Sequence, residues 1–156
     1  MTIAFRILTR CDAGELANLH GQGFETSWSS DSLSALLELP TCLGIGGVLD
    51  QGSDLCGFAL FQHVENQAEL LTLAVRPDAR RRGLARALLA NGEQHLAARG
   101  CTRLFLEVAA DNEAALALYR QLDFRLEGHR RKYYSRADGD DADALIMSRV
   151  ITGLPE

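Results

Sequence analysis

The sequence predicts one mixed α/β domain, on three observations. Its 156 residues suit a single domain with one substantial core. Hydrophobic residues make up 47% and charged residues 24%, the balance of an ordinary globular protein. Runs with strand alternation are interspersed with runs of helical spacing, and no repeat, linker or low-complexity stretch separates them.

FRILT (5–9) alternates as a first strand. DAGELANLHGQGF (12–24) carries Leu16, Leu19 and Phe24 at roughly helical spacing, with Asp12 as N-cap. SSDSLSALLEL (29–39) reads as a second helix, ended before Pro40 because the residue ahead of a proline is pushed out of the helical region. CLGIGGVL (42–49) and LCGFALFQHV (55–64) read as strands joined across DQGSD. ENQ then turns the chain into AELLTLAV (68–75), which Arg76-Pro77-Asp78 terminates. A helix runs from near Gly83 to about Arg99 and stops at Gly100, a C-terminal glycine. TRLFLEV (102–108) is an apolar strand, and NEAALALYRQL (112–122) a helix capped by Asn112 or Asp111. FRLEGHRRKYY (124–134) and DALIMSRVI (143–151) are the last strands, on either side of an Asp-Gly turn. The two late helices are expected to cover the central strands.

A net charge of −5 speaks against a general nucleic-acid binder, which is usually basic. No apolar run approaches the roughly 20 residues of a membrane span, and MTIAFRILTR lacks the basic start and apolar centre of a secretion signal. Cys11, Cys42, Cys56 and Cys101 are scattered without a Cys-x-x-Cys pair, so reduced thiols in a cytoplasmic protein are expected. The four histidines show no metal-ligand spacing, and no metal is expected. The acidic run DGDDAD (138–143) reads as a solvated loop, with steering of a basic partner as the alternative.

RRRGLARALL (80–89) lies between a strand ending near Val75 and a helix starting near Gly83. Free main-chain N–H groups and the positive end of a helix dipole meet there, which favours an anion. Gly83 lets a ligand approach the main chain, and Arg80, Arg81 and Arg82 add donors suited to phosphate oxygens. Neither the Walker pattern nor Gly-x-Gly-x-x-Gly is present. Taken alone, such a segment reads first as an arginine-rich, solvated helix start. Two polar anomalies accompany it. Glu107 interrupts LFLEV, and Tyr119 lies two helical turns from Asn112.

With these residues the chain resembles the GNAT acetyltransferase superfamily, whose cofactor motif Gln/Arg-x-x-Gly-x-Gly/Ala is matched by Arg80-Arg81-Arg82-Gly83-Leu84-Ala85. The likeness extends through LTLAVRPDARRRGLARALL, LFLEVAADNEAALALYRQLDF and RRKYYSRADGDDADALIM. It looks most like the bacterial ribosomal-protein alanine N-acetyltransferases (RimI type), and ETSWSS around Trp28 resembles their entrance segment. The resemblance implies a mostly antiparallel, twisted sheet of about seven strands flanked by about four helices, splayed between the fourth and fifth strands. It implies acetyl-CoA as co-substrate, its pyrophosphate on the arginine-glycine turn and on residues Leu84, Ala85 and Arg86. It implies a bulge around Leu73, Ala74 and Val75, with the Val75 N–H directed at the thioester oxygen. The acceptor would be a protein or peptide N-terminus, a ribosomal protein first, on a monomer or weak dimer that contacts neither nucleic acid nor membrane. A small amine, a lysine, or a sensor module without turnover are the alternatives.

Residue roles come with the resemblance. Strand alternation places Arg103, Phe105 and Glu107 on one face. Glu107 is either an arginine's partner or, as the family implies, the base. Tyr119 is either a core aromatic or the acid that protonates the leaving thiolate. Asn112 either caps its helix or bonds the pantetheine arm. Trp28, Tyr133 and Tyr134 would line the acceptor channel, cross-strand packing being the competing role of the tyrosines. Asp123 stands where the LYxxLGF segment usually has glycine, and Ser27 where a proline precedes the tryptophan. A left-handed backbone at Asp123 would cost on the order of 1 kcal/mol.

Overall fold

The computed structural model describes residues 2–21, 28–134 and 142–151. The strands are β1 (Ile3–Ile7), β2 (Cys42–Leu49), β3 (Gly57–Val64), β4 (Gln67–Val75), β5 (Arg103–Ala109), β6 (Arg125–Tyr134) and β7 (Ala142–Val150). The helices are α1 (Ala13–Gly21), α2 (Ser30–Glu38), α3 (Leu84–Ala98) and α4 (Glu113–Gln121). One seven-stranded sheet runs in the order β1-β2-β3-β4-β5-β7-β6. Every neighbouring pair is antiparallel except β4 and β5. The mixed, mostly antiparallel sheet with helices on it is the expected architecture.

Most boundaries fall within two residues of expectation, and the exceptions have physical causes. The first strand begins at Ile3 and ends at Ile7, two residues early. Asp12 does not cap α1. Thr9 instead caps a short 3-10 turn, accepting from the Cys11 N–H at 3.3 Å, while the Asp12 carboxylate accepts from the Thr9 N–H at 2.8 Å. This reciprocal box satisfies donors that Asp12 alone would leave open. Phe24, placed in the first helix by its spacing, lies outside the described residues, as do Ser27 and the Asp-Gly turn. The acidic run does not remain loop to its end: Ala142 and Asp143 belong to β7, and Asp143 Oδ2 meets His129 Nε2 at 2.6 Å.

The sheet is covered on both faces. Leu84, Leu88, Leu89 and Leu96 bring α3 onto Leu43, Ile45, Ala59 and Phe61, with Leu70, Leu104 and Leu106 in the same core. Leu16 and Leu33 bring α1 and α2 onto Phe58, Leu60 and Ala74 on the opposite face. Glu93 sits inside the buried stripe of α3, only 4% exposed. It is paired with Arg149 of β7, Nε to Oε1 at 2.7 Å and Nη2 to Oε2 at 3.1 Å.

The expected splay is present. β4 and β5 pair only at Gln67–Arg103, Ala68–Leu104 and Glu69–Phe105, then part. The bulge expected at Leu73–Val75 is not there, since those residues pair in register with Ala59, Phe58 and Gly57. Leu60 pairs with Thr72 and Phe61 with Leu70, which makes Leu71 the extra residue. An extra residue reverses side-chain parity. Leu70, Leu73 and Val75 therefore all reach the α3 core, while Leu71 and Ala74 face α1 and α2.

Gly92 marks the closest approach of α3 to the sheet. A Cβ there would lie 2.4 Å from ring atoms of Phe61, which is fully buried. Alanine would favour the helix by about 1 kcal/mol. Overpacking costs about 1–3 kcal/mol, so the clash wins. Gly92→Ala is expected to lower the urea midpoint, and adding Phe61→Leu to recover part of that loss; a rise in the midpoint would contradict this packing.

Candidate active site

β4 and β5 are parallel and part toward their C-terminal ends. The segments leaving the two strands therefore stand at the mouth of the fork: the turn into α3 after β4, and the start of α4 after β5. A crevice outside the carboxyl ends of diverging parallel strands, flanked by helix N-termini, is a general place for a ligand.

The turn into α3 has the backbone of an anion cradle. Arg81 (φ 64°) and Gly83 (φ 77°) are both left-handed, two residues apart. Alternation of this kind turns successive N–H groups toward one concavity. Gly83 is the N-cap of α3 and offers no side-chain cap. The first main-chain bond of the helix runs from the Ala87 N–H to the Gly83 oxygen at 3.0 Å. The N–H groups of Leu84, Ala85 and Arg86 thus precede the helical ladder. A Cβ on Gly83 would meet no protein atom within 4 Å, so within the protein itself only its positive φ favours glycine.

The arginines divide their work. Arg80, Arg81 and Arg82 are exposed. Arg80 Nε donates to the Val75 oxygen at 3.1 Å, holding the turn against the end of β4. Arg82 lines a groove of about 250 Å³ with Asp50, Asp54 and Arg76. Arg86 points to α4, where Nη2 donates to the Gln121 oxygen and Nη1 lies 4.0 Å from Asp123 Oδ2. Asp123 is left-handed at φ 67°, the conformation anticipated from its place in the motif.

At the fork, Glu107 is on the face opposite Leu104 and Leu106, as alternation requires, with 29% of its side chain exposed. Its Oε1 lies 3.6 Å from Arg130 Nη1 of β6, so the arginine partner exists. Glu69, which the sequence did not single out, belongs to the same group of charges. Burial raises its carboxyl pKa, the negative charge of Glu107 raises it further, and Arg130 pulls it back. Thr72 Oγ1, beside the bulge, is buried with no hydrogen-bond partner among the described atoms.

Asn112 caps α4, its Oδ1 accepting from the Ala115 N–H at 3.1 Å. Tyr119 packs edge-on against Phe124, ring centroids 5.7 Å apart, at the border of the α3 core. Trp28 stacks on His20 at 5.3 Å, and the main-chain N–H of Trp28 donates to His20 Nδ1 at 3.2 Å. With Ser32, Ala35 and Leu36 it lines an open groove of about 430 Å³. Tyr133 and Tyr134 end the backbone of β6, and their side chains lie outside the described residues. Among the described residues no cluster of histidine, cysteine and acidic side chains could hold a metal ion, and no helix is long and apolar enough to cross a membrane.

Residues 13–124 match the acetyltransferase (GNAT) family model, well over half of the chain. The chain belongs to the GNAT acetyltransferase family. The ribosomal protein bS18-alanine N-acetyltransferase of Escherichia coli is 44% identical over 104 residues, which span 67% of this chain and 70% of that protein. The N-alpha-acetyltransferase RimI of Mycobacterium tuberculosis is 37% identical over 148 residues, covering 91% and 89% of the two chains. The crystal structure of the Escherichia coli ribosomal-protein-S18-alanine N-acetyltransferase superposes with a TM-score of 0.84 at 32% identity, over 99% of this chain and 97% of that one. The catalyst is thus a GNAT N-acetyltransferase, and the fork with its arginine-glycine turn is the GNAT sheet seen in this chain.

His20 supplies a pH dependence. It is 2% exposed, and burial lowers its pKa below 6.5. The unfolded chain binds this proton first as pH falls, so the stability held above pH 6.5 is lost on the way down to the folded-state pKa. Protonation of Nδ1 would also break its bond from Trp28. The melting temperature is expected to drop between pH 7.5 and pH 5 (roughly the range of histidine titration), less steeply in His20→Gln; equal slopes would exclude this role.

Proposed function

We propose that this GNAT enzyme transfers the acetyl group of acetyl-CoA to the N-terminal α-amine of a ribosomal protein, alanine first. Residues 1–156 would act as one catalytic domain. The observation that carries the donor half is the turn at Arg81–Gly83: two left-handed residues and an uncapped row of N–H groups, ringed by exposed arginines. A diphosphate meets both the helix dipole and charge-assisted donors there. Alanine acceptors are named for the relative of Escherichia coli, which is 44% identical over 67% of the chain and superposes over 99% of it.

The thioester supplies an acyl group already activated toward amines. Leu84, Ala85 and Gly83 would hold the diphosphate through main-chain N–H groups, with Arg80, Arg81 and Arg82 over it and Arg86 bracing α3 against α4. The β4 edge from Leu73 through Ala74 to Val75, freed from β5, would bond the pantetheine amides as a further strand, and the Val75 N–H would stabilise charge on the acyl oxygen. Glu107, beside Arg130, would accept a proton from the α-ammonium. Because an α-amine has a reference pKa of about 7.7–8.0 against about 10.4 for lysine, a carboxylate suffices near neutral pH. Tyr119 would return a proton to the leaving thiolate. Asn112, already a cap, would bond the arm through its amide nitrogen, and Trp28, Tyr133 and Tyr134 would line the acceptor's path.

Coenzyme A release is to be followed with alanine-starting peptides, polyamines and internal lysines as acceptors. The proposal expects the α-amine peptides to be preferred; preference for a polyamine or lysine would move the enzyme to that acceptor class, and tight acetyl-CoA binding without release would make it a sensor. Gly83→Glu is expected to abolish acetyl-CoA binding in calorimetry, by charge repulsion from the diphosphate. Tyr119→Phe is expected to slow turnover about tenfold or more at unchanged acetyl-CoA affinity, on the scale of general acid catalysis; undiminished turnover would remove the phenol from the mechanism.

A further inference from the structure

The helix α4 is too slight to place a side chain by itself. It has nine residues, of which only Leu116 is buried, and a helix shorter than about 12–15 residues is marginal without outside support. Yet it carries Tyr119, the phenol that acetyl transfer would use as its acid. What fixes that phenol lies at the carboxyl end of the helix.

Tyr119 is part of the helix stop itself. Asp123 is left-handed, its N–H donates to the Arg120 oxygen at 3.0 Å, and the Phe124 N–H reaches back to the Tyr119 oxygen at 3.0 Å. These two bonds make a left-handed stop, which an apolar contact between its end residues commonly closes. Here that contact is the edge-on packing of Tyr119 against Phe124 at 5.7 Å. Two carbonyls remain, and each takes a guanidinium. The Gln121 oxygen accepts from Arg86 Nη2 in the first turn of α3, and the Leu122 oxygen from Arg149 Nη1 of β7. Cations suit the negative end of a helix dipole.

Arg149 makes three engagements at once. Nε forms an ion pair with Glu93 Oε1 at 2.7 Å, and Nη2 donates to Oε2 at 3.1 Å. Nη1 holds Leu122, and Cζ stands 5.9 Å from the ring centre of the buried Phe124. A continuous row of contacts thus leads from Glu93 inside α3, through Arg149 and Phe124, to the Tyr119 ring. Stability alone does not call for it, because apolar side chains often replace a buried ion pair without loss. Direction is what a guanidinium adds: its rigid fork meets an acid and a carbonyl at fixed angles, which a single ammonium cannot reproduce.

We propose that Arg149 is a positioning residue for the acid: held by Glu93, it fixes the carbonyl end of α4 and, through Phe124, the place from which the Tyr119 O–H gives its proton to the departing sulfur. This rests on the acetyl-transfer reading above, in which the phenol is the acid, and deepens it. Both guanidinium anchors lead back to α3, the helix that starts at the arginine-glycine turn.

The test uses the full chain with an alanine-starting peptide. Arg149→Lys keeps a cation beside Glu93 but cannot also hold Leu122, and Glu93→Leu with Arg149→Met removes both charges together. In each, kcat is expected to fall about tenfold, no further than in Tyr119→Phe, with the KM for acetyl-CoA unchanged. The apolar pair should melt no lower than the wild type. In a Tyr119→Phe background Arg149→Lys should cost nothing more, since residues acting through one phenol are not additive. With 3-fluorotyrosine at the three tyrosines, the fluorine resonance of Tyr119 should move in Arg149→Lys while those of Tyr133 and Tyr134 stay. Wild-type kcat in both variants would overturn the proposal. So would losses that multiply with Tyr119→Phe, an unmoved Tyr119 resonance, or three resonances moving alike. Failure of the acid reading looks different: Tyr119→Phe alone then turns over as fast as the wild type, and the fluorine resonances decide the role of Arg149 separately.

Discussion

Two parallel strands that pair over only three rows set the terms for everything else in this molecule. β4 keeps its full ladder to β3, and β5 keeps its ladder to β7. Each strand thus holds one side satisfied while the other is released. That arrangement leaves main-chain donors and acceptors unpaired in the middle of a sheet, not at its edge. Buried backbone groups do not stay unpartnered without cost. An extended, amide-bearing molecule would complement these groups, as the proposed function has it for the cofactor arm.

The bulge at Leu71 makes this opening compatible with a core. Without the extra residue, the far half of β4 would present Thr72 and Ala74 to α3, and Leu73 and Val75 to the other side. Parity reversal returns the larger side chains to α3. Anions and cations are also sorted by the fork. Arginines crowd the turn beyond β4, while the carboxylates of Glu69 and Glu107 stand on the sheet face away from α3. A chain acidic overall can therefore offer a basic cradle and an acidic mouth a short distance apart.

Much of this was legible in the residues. Alternation and helical spacing located the described strands and α-helices to within a few positions, and the arginine-glycine segment falls at the left-handed turn into α3. Glu107 stood out because a charge inside LFLEV breaks an apolar run. Asp123 stood out as a non-glycine where the motif turns left-handed. Glu69 did not, because a glutamate in AELLTLAV is the ordinary outward residue of an alternating strand; only the register with β5 reveals its neighbour. The bulge was misplaced for a related reason. Its position depends on which strand residues share a core, and LLTLAV is apolar at every phase. The engagement of Arg86 with α4 is a tertiary fact that its place in the arginine-rich segment does not reveal. Glu93 did leave a trace, lying four residues after Leu89 and three before Leu96, on the stripe of α3 that packs inward.

That last residue ties the middle of the chain to its end. A carboxylate taken into the interior needs a compensating charge, and losing the partner of such a pair costs about 3–5 kcal/mol. Here the partner, Arg149, belongs to the final strand. On a ribosome the long helix is made more than fifty residues before the guanidinium that neutralises it. Until then the acid either stays protonated or keeps the helix from seating fully, and the pair with the last strand is what lets its charged form be buried. A chain interrupted ahead of its last strand would lack the charge that compensates this acid in the helix following the arginine-glycine turn.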